Sequence, residues 1–271
     1  MQLLTDTPPE IDSRIVDAYR RMPIDRKWRN LGEDWVLVRQ LHMAGFRQRN
    51  PQSTAADIRQ DWLRQTLGDR LSLSVPDSNM DLLPFAPVLR TVLRVFDKLG
   101  IAYAIGGSIA SSLHGIGRMT RDADVSVEPF PGKDAALIAA LDPNSFYVSD
   151  IAVRDAVRDQ SSFNIIHPES GFKVDVFVLK NEPFEQSAFR RRQFLTFADD
   201  PAQSVAFYVP EDVVLFKLRW HRMGGESSDQ QWNDILGILR TQAERIDTAY
   251  LDQWSTTIGV ADLWDRARGE A

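Results

Sequence analysis

The chain has 271 residues, 43% of them hydrophobic and 26% charged, with no cysteine and a formal net charge of −6. Its length allows one large domain or two modest ones. The missing cysteines exclude disulfides and thiolate metal sites, no apolar run is long enough for a bilayer, and the acidic balance gives no general attraction to nucleic acid.

The start, MQLLTDTPPEIDSR, lacks the basic-then-apolar pattern of a secretory signal, so a cytoplasmic protein without membrane contact is expected. Up to Arg70 there are 12 basic and 10 acidic residues, against 20 and 28 in the remainder, so the two parts differ in balance. Residues 10–68 carry apolar positions at three-to-four spacing in EIDSRIVDAYRRM, EDWVLVRQLHMAGFRQRN and STAADIRQDWLRQTLG. Three helices are expected there, the last capped by Ser53 or Thr54 with Asp57 in its first turn. Residues 1–70 are thus read as a helical N-terminal region. Residues 71–86, with proline, serine and asparagine but little periodicity, are read as a linker.

From residue 87 helices and strands alternate. PVLRTVLRVFDKLG is an amphipathic helix stopped by Gly100, IAYAIGG a short strand, SIASSLHGIG a helix of small residues and ADVSVEP a second strand. Helices near 132–141 and 150–158 precede SFNIIHP and FKVDVFVLK, a hairpin joined at ESG. RQFLTFADDPAQSVAFYV supplies one or two edge strands. Four helices follow: PEDVVLFKLRWHRM with Pro210 in its first turn, DQQWNDILGILRTQ, TAYLDQWSTTIG and Val260–Arg268. A core of 87–209 and a C-terminal helical subdomain of 210–271 result.

Chemistry concentrates in residues 104–127. A strand ending on Gly106-Gly107-Ser108 and turning directly into a helix aims backbone N–H groups at one spot, where the helix dipole also favours negative charge. The turn reads either as a ligand-free strand-to-helix junction or as a phosphate cradle. Asp122 and Asp124, two apart on a strand, share a face and can reach one hard cation through oxygen. Asp175 sits inside an apolar strand, where an unpaired carboxylate costs several kcal/mol, so a partner or metal is expected. Lys217 lies on an otherwise apolar helix of a chain with few lysines and many arginines, and reads as a snorkelling residue or a phosphate contact. Arg118 and Arg121 flank the loop before Asp122 and could meet a triphosphate or the aspartates. His114 reads as a helix-end residue, and His167 and His221 lack metal-ligand spacing.

Residues 106–124, GGSIASSLHGIGRMTRDAD, followed by an Asp in a later strand, resemble the nucleotidyltransferase fold of DNA polymerase beta and the minimal nucleotidyltransferases. PEDVVLFKLRWHR and DQQWNDILGIL resemble the Lys and Asp segments of AbiEii-like nucleotidyltransferases, the toxin class of some abortive-infection and toxin–antitoxin systems. The usual Lys-Asp ahead of the second helix is replaced by SSDQQWNDI, a departure that bears on Asp234. The resemblance implies an α+β fold: a mixed sheet with packed helices, an N-terminal helical appendage and a C-terminal helical bundle. It implies that Asp122, Asp124 and Asp175 hold two Mg2+ ions, that Asp175 takes the acceptor's proton, and that Gly106, Gly107 and Ser108 hold the triphosphate, with Arg118 and Lys217 beside them and Arg121 and Asp234 as further candidates. The activity implied is transfer of a nucleoside monophosphate from an NTP to a hydroxyl of RNA, tRNA, protein or a small molecule, with an antitoxin as partner. An antibiotic nucleotidyltransferase of the aminoglycoside type and a nucleotide-binding module without turnover are the alternatives.

Overall fold

A computed structural model of the chain describes residues 9–67 and 85–271. In chain order these form α1 (Pro9–Arg21), α2 (Ile24–Arg49), α3 (Ala55–Leu67), α4 (Phe85–Leu99), β1 (Tyr103–Ile105), α5 (Gly107–His114), β2 (Asp122–Val127) and α6 (Asp134–Ala140). There follow β3 (Tyr147–Val148), α7 (Asp150–Asp159), β4 (Ser162–His167), β5 (Phe172–Val178), α8 (Pro183–Arg191), β6 (Gln193–Phe197) and β7 (Asp200–Phe207). The chain ends in α9 (Pro210–Met223), α10 (Asp229–Gln242), α11 (Thr248–Thr257) and α12 (Ala261–Glu270). The fold is α+β, with a mixed seven-stranded sheet of order β3-β4-β5-β2-β1-β7-β6.

The expected elements are present, with four differences. The segment read as a linker, 71–86, lies outside the described residues as far as 84, and Phe85 and Ala86 already belong to α4. The basic run RRMPIDRKWRN continues as helix from Ile24, because Pro23 breaks the chain only once and Trp28 and Leu31 behind it are buried. Helix α8, which opens on Pro183 and buries Phe184, Ala188 and Phe189, and the two-residue β3 were not anticipated. Caps follow the chemistry of their residues: Thr54 and Asp57 bond reciprocally at the start of α3, and Ser149, Ser228 and Asp247 accept N–H bonds from the first turns of α7, α10 and α11.

The chain divides into two compact units. One takes the described residues within Gly32–Tyr103 and Met119–Lys180. In it β2 pairs parallel with β5, and β5 antiparallel with β4 through a turn whose Gly171 has φ +73°. Period-two alternation sends Ala123, Val125 and Val127 of β2 and Val174, Val176 and Val178 of β5 into the core, and leaves the acidic residues on the other face. Val88, Leu89, Val92, Leu93 and Phe96 form the buried stripe of α4, each full burial contributing about 1.5–3 kcal/mol. Trp35 meets Trp62 and Phe172 edge-on, and the Trp62 indole N–H donates to the Ser170 carbonyl at 2.8 Å.

The other unit takes the described residues within Met1–Leu31, Ala104–Arg118 and Asn181–Ala271. Here β1 pairs parallel with β7, which forms a hairpin with β6, and α5, α9 and α10 pack together. Trp28 of α2 stacks on Phe197 with ring centroids 4.6 Å apart. The Lys27 ammonium donates to the carbonyls of Leu113 and Gly115 at 3.0 and 3.4 Å, so it serves as a cation at the C-terminus of α5. Burial lowers its pKa to about 8.

Candidate functional site

The candidate residues fall into two groups of side chains. The first belongs to the unit containing α5. Strand β1 is three apolar residues, all buried, and the chain leaves it through Gly106. Gly107 begins α5 with φ +51°, a left-handed conformation that a side chain would resist. No side chain caps this helix, so its first-turn N–H groups are left for another acceptor.

A charged cluster stands at that helix end. Arg118 forms a bidentate pair with Asp234, Nε to Oδ1 at 2.7 Å and Nη2 to Oδ2 at 2.8 Å, and Nη2 also donates to Ser108 Oγ at 2.7 Å. Lys217, only 6% exposed, donates from Nζ to Asp234 Oδ2 at 2.8 Å. Burial by itself would raise the pKa of Asp234, but the Arg118 bonds and the Lys217 charge outweigh it and hold the carboxyl below its usual range. Two cations and one carboxylate stand together beside the start of α5, whose dipole end also favours negative charge. Lys217 therefore faces Asp234 instead of snorkelling to solvent, and Asp234 has a partner for each of its oxygens.

Small residues allow this arrangement. A Cβ on Gly115 would lie 2.9 Å from both the Ile238 N and the Ser111 O, so the chain after α5 runs directly against the backbone of α10, one turn beyond Asp234. Both obstacles are backbone, so neither can rotate away. Gly115→Ala should cost about 1–3 kcal/mol of stability, checked by urea unfolding; a loss under 0.5 kcal/mol would show that α5 and α10 can separate freely.

The second group lies in the other unit. Asp124 and Asp175 are register partners on the parallel pair β2–β5, and Asp122 is paired with Lys173 one step back. All four alternate onto the face opposite the buried valines. Lys173 Nζ donates to Asp175 Oδ2 at 2.6 Å, and Thr120 Oγ1 donates to Asp122 Oδ1 at 3.1 Å. Asn164, opposite Asp175 on β4, places its amide nitrogen 2.7 Å from Asp175 Oδ1 when the amide is oriented to donate. Burial pushes the Asp175 pKa up, the Lys173 bond and charge oppose this, and the nearby Asp122 charge adds to the rise.

A divalent cation fits the donor chemistry of this face, since the candidates are all carboxylate oxygens and their mutual repulsion would be relieved by positive charge. Among the described residues, no three acidic, histidine or cysteine side chains are already grouped to hold a metal ion. Asp175 accepts bonds from Lys173 and from Asn164 with its amide oriented to donate, and Asp122 accepts one from Thr120.

The remaining candidates have other partners. Arg121 donates from Nη1 to the Gln65 carbonyl at 3.0 Å. His114 is buried and donates from Nε2 to the Tyr208 carbonyl at 2.8 Å, a structural role. His167 bonds Ser170 within its own turn. Lys173 and Asn164 were not singled out from sequence, although the spacing of Lys173 from Asp175 puts the two on one face.

No protein-family model and no curated protein matches the chain. Among solved structures it is similar to the antibiotic-resistance factor ANT(2'')-Ia, with 12% identity, TM-score 0.40, and coverage of 68% of this chain and 92% of that one. It is also similar to an antigenic nucleotidyltransferase-like protein from Paracoccidioides brasiliensis, with 19% identity, TM-score 0.40, and coverage of 64% and 90%. Likeness at this distance adds nothing to the residue geometry, on which the functional reading rests. No helix among the described residues is long and apolar enough to cross a membrane.

Proposed function

We propose that this protein is a nucleotidyltransferase that moves a nucleoside monophosphate from a nucleoside triphosphate to a hydroxyl acceptor with the help of Mg2+. The observation that carries the reading is the register of β2 and β5, which puts Asp124 beside Asp175 with Asp122 on the same face. Three carboxylates on one face, with Lys173 beside them, form an array of oxygen donors of the kind a divalent cation takes.

In this reading Asp122, Asp124 and Asp175 hold the metal. When bound, Mg2+ supplies Lewis-acid activation of a phosphoryl oxygen and of the attacking hydroxyl. The side chains do the rest. The N–H groups of the first turn of α5 and the Ser108 hydroxyl receive phosphate oxygens, with Arg118 and Lys217 held by Asp234 to neutralise their charge. Asp175, on the same face as the other two carboxylates, takes the acceptor's proton in this reading.

The acceptor class, whether RNA, tRNA, protein or small molecule, and a toxin role with an antitoxin partner are carried by the resemblance of residues 106–124 and 210–239 alone. The test is incubation with each of the four α-labelled triphosphates, Mg2+, and total cellular RNA and protein, beside Asp122→Ala. Label transfer should fall by about 100-fold or more in the variant, the scale of losing one preorganised electrostatic group. Equal transfer by both proteins would refute the site. Binding of nucleotide without pyrophosphate release would favour a module that has lost turnover.

A further inference from the structure

We propose that Lys173 is a tethered counter-ion for the carboxylate face, a positioning residue that holds Asp175 until a divalent cation displaces it. The inference rests on the metal-binding role assigned above to Asp122, Asp124 and Asp175. The face is a two-by-two array: Asp122 and Asp124 on β2, Lys173 and Asp175 on β5, with Asp122 opposite Lys173 and Asp124 opposite Asp175. Three carboxylates and one ammonium make up the array.

The ammonium sits 2.6 Å from Asp175 Oδ2, with the two side chains 27% and 16% exposed. A charge-assisted bond this short, partly shielded from water, sets a positive charge against the oxygen a cation would use, so the ammonium and the cation compete for it. Lysine suits the role. Its charge is a point on a flexible four-carbon stem, so it can leave toward solvent without moving β5, whereas an arginine fork would be fixed by its plane. Asn164 on the opposite side of Asp175 can hold Oδ1 while Oδ2 changes partner. The lysine thus keeps like charges from driving the face apart when no metal is bound, and sets a threshold that the cation must overcome.

Two measurements on the full chain test this. Mn2+ affinity, read by the loss of the free-ion electron paramagnetic resonance signal, should be about tenfold tighter in Lys173→Met than in wild type, the factor expected for removing one weakly screened competing charge. In wild-type protein, mass-spectrometric footprinting with an amine-acylating reagent should show Lys173 modified more readily once Mn2+ saturates, which needs no variant to fold. If wild type binds Mn2+ but Lys173→Met binds it equally or more weakly, and Lys173 acylation does not change with Mn2+, the counter-ion role is wrong while the metal site stands. If folded wild type and Lys173→Met both leave Mn2+ free, the metal-binding reading fails and takes this inference with it.

Discussion

Asp234→Ala is expected to lower the unfolding free energy by about 3–5 kcal/mol, the cost of stripping a partner from a buried ion cluster. The carboxylate bonds both Arg118 and the buried Lys217. Without it the ammonium, 6% exposed, and the guanidinium lose the carboxylate that bonds them both. Lys217→Met should cost less than half as much, because Asp234 keeps its bidentate bond to Arg118 and methionine fills the same space. The pH dependence has a definite sign. The pKa of Asp234 is held below the ordinary carboxylate range, so the stability it contributes is present above that range and is lost as pH falls through its depressed value. The gap between wild type and Asp234→Ala should therefore be full at neutral pH and narrow in acid. Urea titrations at pH 7 and at pH 3 check this, and a neutral-pH loss below 1 kcal/mol would mean that the two cations find water or another acceptor.

The cluster also shows what the sequence could and could not reveal. The strand, glycine turn and small-residue helix of 104–114 were legible because each depends on local chemistry: three apolar residues, a glycine able to adopt φ +51°, and short side chains at helical spacing. The common face of Asp122 and Asp124 was likewise a matter of strand period. Asp234, by contrast, lies 116 residues from Arg118, and its pairing depends on α10 approaching Gly115 within backbone contact. Periodicity within one helix carries no information about which other helix will meet it. Helix α8 is illegible in the sequence for a different reason. PFEQSAFRR has three buried apolar positions among polar and charged ones, so its pattern is weak, and packing of Phe184 against Phe216 and Trp254 helps decide its conformation. The place of Lys173 is legible from the sequence, since a charge two residues from a strand carboxylate shares its face.

His114 and Asp212 are expected to tilt stability in opposite directions between pH 4 and 6.5, so that their effects offset in wild type and separate in variants. Burial, assisted by the Lys27 charge, lowers the His114 pKa to about 4, so folding keeps the ring neutral where the unfolded chain would protonate it. Its share of stability is present above the ordinary histidine value near 6.5 and is lost as pH falls toward 4, in all about 3 kcal/mol. Asp212 is fully buried, receives the Tyr250 hydroxyl at 2.7 Å on Oδ1, and has Arg191 Nε 3.9 Å from Oδ2. Burial outweighs these partners, and with the Glu211 charge raises its pKa to about 6. The folded state therefore favours the protonated acid. That share is present below the ordinary carboxylate value of 3.8 and is lost as pH rises through 6, again about 3 kcal/mol. Subtracting wild type from each variant cancels the titrating groups that are not coupled to the substituted residue. Asp212→Asn, which keeps an acceptor for Tyr250, should gain about 3 kcal/mol relative to wild type between pH 4 and pH 7. His114→Gln, whose amide can still reach the Tyr208 carbonyl, should gain a similar amount relative to wild type as pH falls from 7 to 4, whatever fixed cost the substitution carries. Urea unfolding of the three proteins at pH 4, 5.5 and 7 measures both slopes. A difference that stays constant within about 0.5 kcal/mol for either variant would mean that water reaches the group and leaves its titration ordinary.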